Sequence, residues 1–228
     1  MTQRQRPQPT PSVQRLPRYL RLLRQAKSRG ERVISCTKLA DDLGQQSVQV
    51  RKDLAITGIS GRPKVGYQIT ELIEAIEKFL GWDVETTAFL FGVGHLGTAI
   101  MNYPGFVSYG LNILQVFDVN QNLIGTELNG HTIRSPHEAV WYAQAYRKET
   151  GHDVDMGIIT VPGNAAQSVV DILTRAEIHA IWNYAPAQLE IPKNTVCENV
   201  KLSESFAVLT RRMKSFNEQL QRESQRDD

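Results

Sequence analysis

The chain has 228 residues, 41% of them hydrophobic, which suits one large domain or two small ones around packed cores; no apolar run approaches the ~20 residues that span a bilayer. The formal net charge of +2 hides an asymmetry: residues 1–68 hold 14 Lys and Arg against 4 Asp and Glu, and the remainder holds 12 against 20, so a basic first third suited to a polyanion is joined to an acidic body. Cys36 and Cys197 form no CxxC pair, no Cys/His cluster has zinc-ligand spacing, and no apolar stretch of a secretory signal follows the basic start, so no metal, no membrane and a reducing cytoplasm are expected, with each Cys a small buried residue.

Residues 1–12, rich in Pro, Gln and Arg, read as disordered. Leu16, Tyr19, Leu20 and Leu23 then recur at helical spacing among Arg15, Arg18, Arg21 and Arg24, and Gly30 ends that helix. Val33-Ile34 is a short apolar connector, Ser35 caps a second helix that buries Leu39, Ala40 and Leu43, and Gly44 breaks it. A third helix starts near Ser47. Val50 and Leu54 face inward, which leaves Gln49, Arg51 and Lys52 pointing out. The glycine-rich basic stretch from Gly58 to Ile69, with Arg62, Lys64 and Tyr67, reads as a β-hairpin wing. Helix, helix, turn, helix and wing spell a winged helix-turn-helix, whose last helix enters the major groove of double-stranded DNA. Gln49, Arg51 and Lys52 suit base edges and phosphates, and Arg62 and Lys64 suit phosphates or a narrow minor groove. A three-helix protein-interaction domain is the alternative, and the concentration of positive charge argues against it.

After a helix over Thr70–Leu80, Thr87–Phe91 reads as a strand, followed by Gly92-Val93-Gly94-His95-Leu96-Gly97 and a helix opening at Thr98. Leu111–Phe117 is a second strand ending at Asp118, 21 residues past Gly97. That order is the dinucleotide-binding βαβ unit: glycines for the tight turn, the close approach to pyrophosphate and the helix–strand packing, and an acid for the ribose diol, which favours NAD over NADP. CoA is the alternative ligand. His95 reads as an exposed helix-start residue rather than a base. Met156–Thr160 and Ala180-Ile181 are further strands, so Thr160, Val161 and Pro162 and the loop at Asn183 lie at the carboxyl edge of a parallel sheet. Asn183 either bonds a carboxamide or caps its loop. Leu202, Phe206, Leu209, Met213, Phe216 and Leu220 step by four and three residues, a heptad seam that packs on its own domain or on a partner.

Taken together, these pieces resemble the Rex family of bacterial redox-sensing transcriptional repressors. The match rests on Val50-Arg51-Lys52-Asp53-Leu54, Val65-Gly66-Tyr67, the glycine loop, Asn102-Tyr103-Pro104-Gly105-Phe106, Phe117-Asp118-Val119, Thr160-Val161-Pro162 and Asn183-Tyr184-Ala185-Pro186, in that order. The resemblance implies an α/β chain: an N-terminal winged helix over 13–82, a Rossmann-like NAD/NADH-binding domain over 83–200, and a dimerisation helix over 201–228 that reaches into the partner. It implies a homodimer, not an enzyme, that binds a palindromic operator at low NADH and releases it as NADH accumulates. By the same resemblance the loop Gly92, Val93, Gly94, His95, Leu96 and Gly97 holds pyrophosphate, Asp118 the adenosine ribose, and Tyr103 the nicotinamide side. Thr160, Val161, Pro162 and Asn183 complete the pocket. Ser47, Gln49, Arg51, Lys52, Arg62, Lys64 and Tyr67 form the DNA face, and Arg21, Tyr103 and position 201 the switch. The chain departs from the family where Lys201 replaces an acid, where Ala55-Ile56-Thr57-Gly58 replaces Ser-Tyr-Phe-Gly, and at Pro63. The rival reading, an NAD-dependent oxidoreductase, lacks a His–carboxylate or Tyr/Lys pair at a strand end.

Overall fold

Helix α1 begins at Thr10 and runs to Ser28, so residues 10–12 are helical where the sequence suggested disorder. The computed structural model describes residues 10–224, and residues 1–9, the rest of the expected disordered terminus, lie outside them. The described chain divides into two units. The first runs to Glu85 and also takes in Ser108–Gly110; the second holds the rest.

In the first unit, Leu16, Tyr19, Leu20 and Leu23 lie on one face of α1 and are buried, each aliphatic one stabilising the fold by about 1.5–3 kcal/mol. Val33-Ile34, expected as a connector, is a strand (β1) that pairs antiparallel with β2 (Tyr67–Gln68), Ile34 opposite Tyr67. Helix α2 (Cys36–Leu43) starts where the Ser35 hydroxyl accepts the Lys38 N–H at 3.1 Å, and it ends at Gly44 with φ 62°. Helix α3 (Ser47–Ala55) buries Val50 and Leu54 as their spacing predicts. The wing is smaller than a regular hairpin: Arg62 pairs with Gly66 around a turn in which Lys64 takes φ 63°. Helix α4 (Ile69–Leu80) lays Leu72, Ile73 and Ile76 on α1. Tyr109 returns from further along the chain to stack on Trp82 at 4.1 Å beneath Arg24, an arrangement with no local sequence signal.

The second unit is a five-stranded parallel sheet. Its strands are β3 (Thr86–Phe91), β4 (Leu111–Phe117), β7 (Met156–Ile159), β8 (Ala180–Asn183) and β9 (Val196–Asn199), in the spatial order β4-β3-β7-β8-β9. A two-stranded ribbon, β5 (Glu127–Leu128) with β6 (His131–Thr132), lies between β4 and β7 in sequence. Helices α5 (His95–Met101), α6 (Pro104–Val107), α7 (Ala139–Thr150) and α8 (Gly163–Arg175) make the crossovers. Chain order reverses between β3 and β7, and their carboxyl ends open a crevice there. Phe89, Phe91, Phe117, Ile159 and Leu173 fill a core on one side of the sheet, and Leu90, Val116 and Ile158 fill one on the other. Helix α9 (Leu202–Ser224) closes the described chain, with Phe206, Leu209, Met213 and Phe216 all more than half exposed. The side chains of Leu202 and Leu220, the two ends of the expected seam, lie outside the described residues. Among the described residues no helix is long and apolar enough to cross a membrane, and no group of His, Cys, Asp and Glu is arranged to hold a metal.

Candidate cofactor cavity and nucleic-acid interface

The crevice between β3 and β7 holds a cavity of 660 Å³ lined by Gly92, Gly94, Asp118, Val161, Pro162 and Tyr184, among others, a volume in the range of small-molecule and cofactor sites. Backbone builds its rim. Gly92 turns with φ 97°, and a Cβ there would sit 3.0 Å from the Thr160 carbonyl. A Cβ on Gly97 would overlap the Gly92 carbonyl oxygen, so helix α5 lies against the turn only because that carbon is missing. Gly94 faces open space on the cavity side. The first-turn N–H groups of α5 have no helical acceptors, and together with Gly94 they form a cradle into which an anion fits.

Hydrogen bonds stitch this turn to its neighbours. Gly92 N–H donates to Phe117 O at 2.8 Å, and the Thr160 hydroxyl lies 2.7 Å from Gly92 O and 2.9 Å from Phe91 O. Val93 N–H donates to the Asp118 carboxylate at 2.9 Å, whose other oxygen accepts Asn120 N–H at 2.8 Å. Each carboxylate oxygen keeps a lone pair for a second donor. Thr160 therefore lines the cavity with its hydroxyl proton already engaged. His95 is the exposed first residue of α5, as expected, and Leu96 is exposed beside it.

Of the two readings of Asn183, the structure shows the loop cap. Its side chain is buried. Nδ2 donates to Asn199 Oδ1 at 2.8 Å and to Ala185 O at 3.2 Å, and Oδ1 accepts Ala185 N–H at 2.9 Å. The amide pins the loop after β8 with both Nδ2 hydrogens engaged, and Asn183 is not among the residues lining the cavity. Tyr103 is half-exposed and is not among the residues lining the cavity. It meets Phe106 edge-on at 4.8 Å. Phe106 meets Trp182 at 5.1 Å, and Trp182 meets Tyr184 at 5.0 Å. An aromatic row thus runs from Tyr103 to a cavity wall, where burial pushes the Tyr184 hydroxyl up to about 12. The spacing of Trp182 and Tyr184 on either side of Asn183 was the available signal for it.

In the first unit, a cleft of 530 Å³ opens between α3 and the wing, lined by Arg51, Arg62, Lys64, Ser60, Thr37 and Cys36 among others. Three of the cations expected on the DNA face, Arg51, Arg62 and Lys64, therefore share one cleft. Lys52 is exposed on α3 outside it, and Ser47 and Gln49 are half-buried. Tyr67 lines the same cleft but is mostly buried. It is 8% exposed, its burial raises its hydroxyl pKa, and its ring fills the base of the wing beside Gly61.

The residue that sequence reasoning missed is Asp53, wholly buried on α3. Its carboxylate accepts Arg15 Nε and Tyr19 Oη on Oδ2, both at 2.6 Å, and Arg15 Nη2 at 2.7 Å and Gln49 Nε2 at 2.8 Å on Oδ1. Burial alone would raise its pKa; hydrogen bonds from Arg15, Tyr19, Ser12 and Gln49 outweigh that and hold it at about 2. An acid set between the inward-facing Val50 and Leu54, facing an Arg-rich first helix, was the signal. Of the expected switch residues, Arg21 is exposed on α1 in the first unit. Lys201 is exposed in the second, where it pairs with Glu204 at 2.8 Å across the start of α9.

Residues 83–187 match a family profile described as "CoA binding domain", and residues 9–55 one described as "Putative DNA-binding protein N-terminus". Redox-sensing transcriptional repressor Rex of Bacteroides thetaiotaomicron is 39% identical over 210 residues, 92% of each chain. The protein of the same name from Treponema denticola is 40% identical over 87% of this chain and 92% of its own. Among solved structures, RSP in complex with beta-NAD+ and operator DNA superimposes with a TM-score of 0.82 at 30% identity, over 95% of this chain and 98% of that one. RSP in complex with beta-NADH gives 0.79.

Proposed function

The chain belongs to the Rex family of redox-sensing transcriptional repressors, and from that premise we propose that it is a cytoplasmic homodimeric repressor which holds a palindromic DNA operator at low NADH and releases it when NADH binds. The observation that carries this is the pairing, in one chain, of a glycine turn bonded to Asp118 with a cleft that gathers Arg51, Arg62 and Lys64. Relatives named as repressors, and a structural neighbour at 30% identity held with NAD+ and operator DNA, support it.

In this reading Gly94 and the first turn of α5 receive the pyrophosphate and Asp118 the ribose diol, with Val161, Pro162 and Tyr184 walling the cavity. The cofactor supplies a difference in ring charge and planarity between its two redox states. The protein turns that difference into a shift between two dimer geometries, limited by the ratio of affinities: tenfold discrimination gives ~1.4 kcal/mol per site. On the DNA side, α3 enters the major groove and the wing rests on the backbone. The exposed row Phe206, Leu209, Met213 and Phe216 is the dimer seam. Lys201, where the family carries an acid, cannot accept a bond from Tyr103 and repels Arg21, so the switch in this chain runs through other partners.

Fluorescence anisotropy of the full chain on a Rex-like palindromic duplex, titrated separately with NADH, NAD+ and CoA, tests this. Release by NADH at concentrations where NAD+ does nothing is the expected result. Tight binding that ignores both nucleotides and yields to CoA would overturn the redox reading. Affinity that is absent, or insensitive to salt, would overturn the regulator itself.

A further inference from the structure

We infer that Gln49 reads a base in the operator with a hydrogen-bond pattern fixed by Asp53, selecting adenine over guanine at its position; this rests on the DNA-binding function proposed above. Gln49 is the third residue of α3, in the first turn of the helix that meets base edges in a helix-turn-helix. A free glutamine amide turns over at little cost and presents either its oxygen or its nitrogen. Here it cannot. Asp53 is an ionised carboxylate, and such a group only accepts. Both of its oxygens are engaged: Arg15 Nε and Tyr19 Oη on one, Arg15 Nη2 and Gln49 Nε2 on the other. Turning the amide over would set Gln49 Oε1 against that carboxylate and give up a charge-assisted bond. Arg15 and Tyr19, the other groups bonded to the acid, are anchored on it in the same way.

The consequence is a preset outward pattern. Gln49 keeps Oε1 as an acceptor and the second Nε2 hydrogen as a donor. Adenine offers the complement in the major groove, an N6 amino donor beside the N7 acceptor, whereas guanine offers acceptors at both O6 and N7. Cytosine, with an N4 donor, is tolerated. Thymine, with O4, satisfies only the donor. Asp53 is then a positioning residue that touches no DNA, and it gives a buried charge in this domain a role in base choice as well as in packing. Lys52, one turn along the exposed face, is a pure donor and has no such restriction.

The test is selection of bound sequences from a randomised duplex library by full-length wild type, Gln49→Met and Asp53→Asn, followed by affinity measurements on the selected site carrying adenine, guanine or 7-deazaadenine at single positions. Wild type is expected to enrich a palindrome with one adenine per half-site whose replacement by guanine weakens binding roughly ten- to a hundredfold. Gln49→Met selects the same palindrome with that one preference gone, and it loses sensitivity to 7-deazaadenine there. Asp53→Asn, its fold checked by retained helix content, narrows the adenine–guanine gap at that position alone, because a neutral amide receives either end of Gln49. If wild type enriches nothing, the DNA-binding function fails and this inference with it. If wild type enriches a palindrome and Gln49→Met keeps every base preference, the inference alone is overturned. An unchanged adenine–guanine gap in Asp53→Asn would remove the role given to Asp53.

Discussion

The two units build their working surfaces by opposite means. In the first, the proposed site is made of side chains raised above a core, and the core itself contains a charge: Asp53, held by Arg15, Tyr19 and Gln49, ties α3 to α1. In the second, the proposed site is built of backbone laid bare where side chains are missing, at Gly92, Gly94 and Gly97, with Thr160 and Asp118 bonding the turn from either side. A surface of side chains can change its specificity one residue at a time. A surface of backbone can only be kept or lost.

The sharpest way to break this contrast is Asp53→Ala. It leaves the partly buried Arg15 guanidinium without its partner, and a loss of about 3–5 kcal/mol is expected from the first unit, read by urea denaturation. DNA affinity should vanish while NADH binding persists, and loss of both would mean the units do not keep their roles apart. Gly97→Ala is next. The added methyl must displace the Gly92 carbonyl, so the turn yields at a cost of about 3 kcal/mol. NADH affinity measured by calorimetry should fall at least a hundredfold with DNA affinity unchanged. Smaller again is the acid response. Asp53 is held at about 2 against an ordinary 3.8, so its contribution, on the order of 2 kcal/mol, is complete above about pH 4 and lost as pH falls through about 2. Acid titration of helix content should show that loss in wild type, and Asp53→Asn should flatten it.

What could be read from the sequence follows the same contrast. Periodicity marked α1, α2 and α3, because Leu16, Leu20, Val50 and Leu54 repeat at helical spacing and one face of each helix is dry. Glycine spacing marked the turn before α5. Strand β9 was illegible, since Val196–Asn199 lies at the sheet edge with only a short, half-exposed apolar stretch. The ribbon of β5 and β6 carried a true signal, Asn129-Gly130 with both residues at positive φ, but its strands are two residues long and show no alternation. Helix α7 crossed unread because its Ala and Tyr residues give a weak stripe, whereas α8 was legible from Ala166, Val169, Val170 and Leu173 at helical spacing and was missed. Tyr67 and Asn183 share a feature: the fold has buried both. Sequence shows that a residue has a polar tip, and it does not show whether the fold has already bonded or buried that tip. Asp53 went unseen for the converse reason: an acid between two leucine-like positions looks like a solvated residue until Arg15 and Tyr19 are found across from it.

The bond from Val93 N–H to Asp118 bears on how such a sensor changes coenzyme. In the proposed site the acid that would exclude a 2′-phosphate from the ribose also anchors the turn that holds the pyrophosphate. Exchanging Asp118 for a small or basic residue, the obvious route from NAD to NADP, therefore loosens the grip shared by both coenzymes before it improves the fit of either. A lineage taking that path would pass through a form that responds to no nucleotide, unless a second change first supplied Val93 with another acceptor. Coenzyme preference in this fold is thus guarded by a ratchet made of one backbone hydrogen bond.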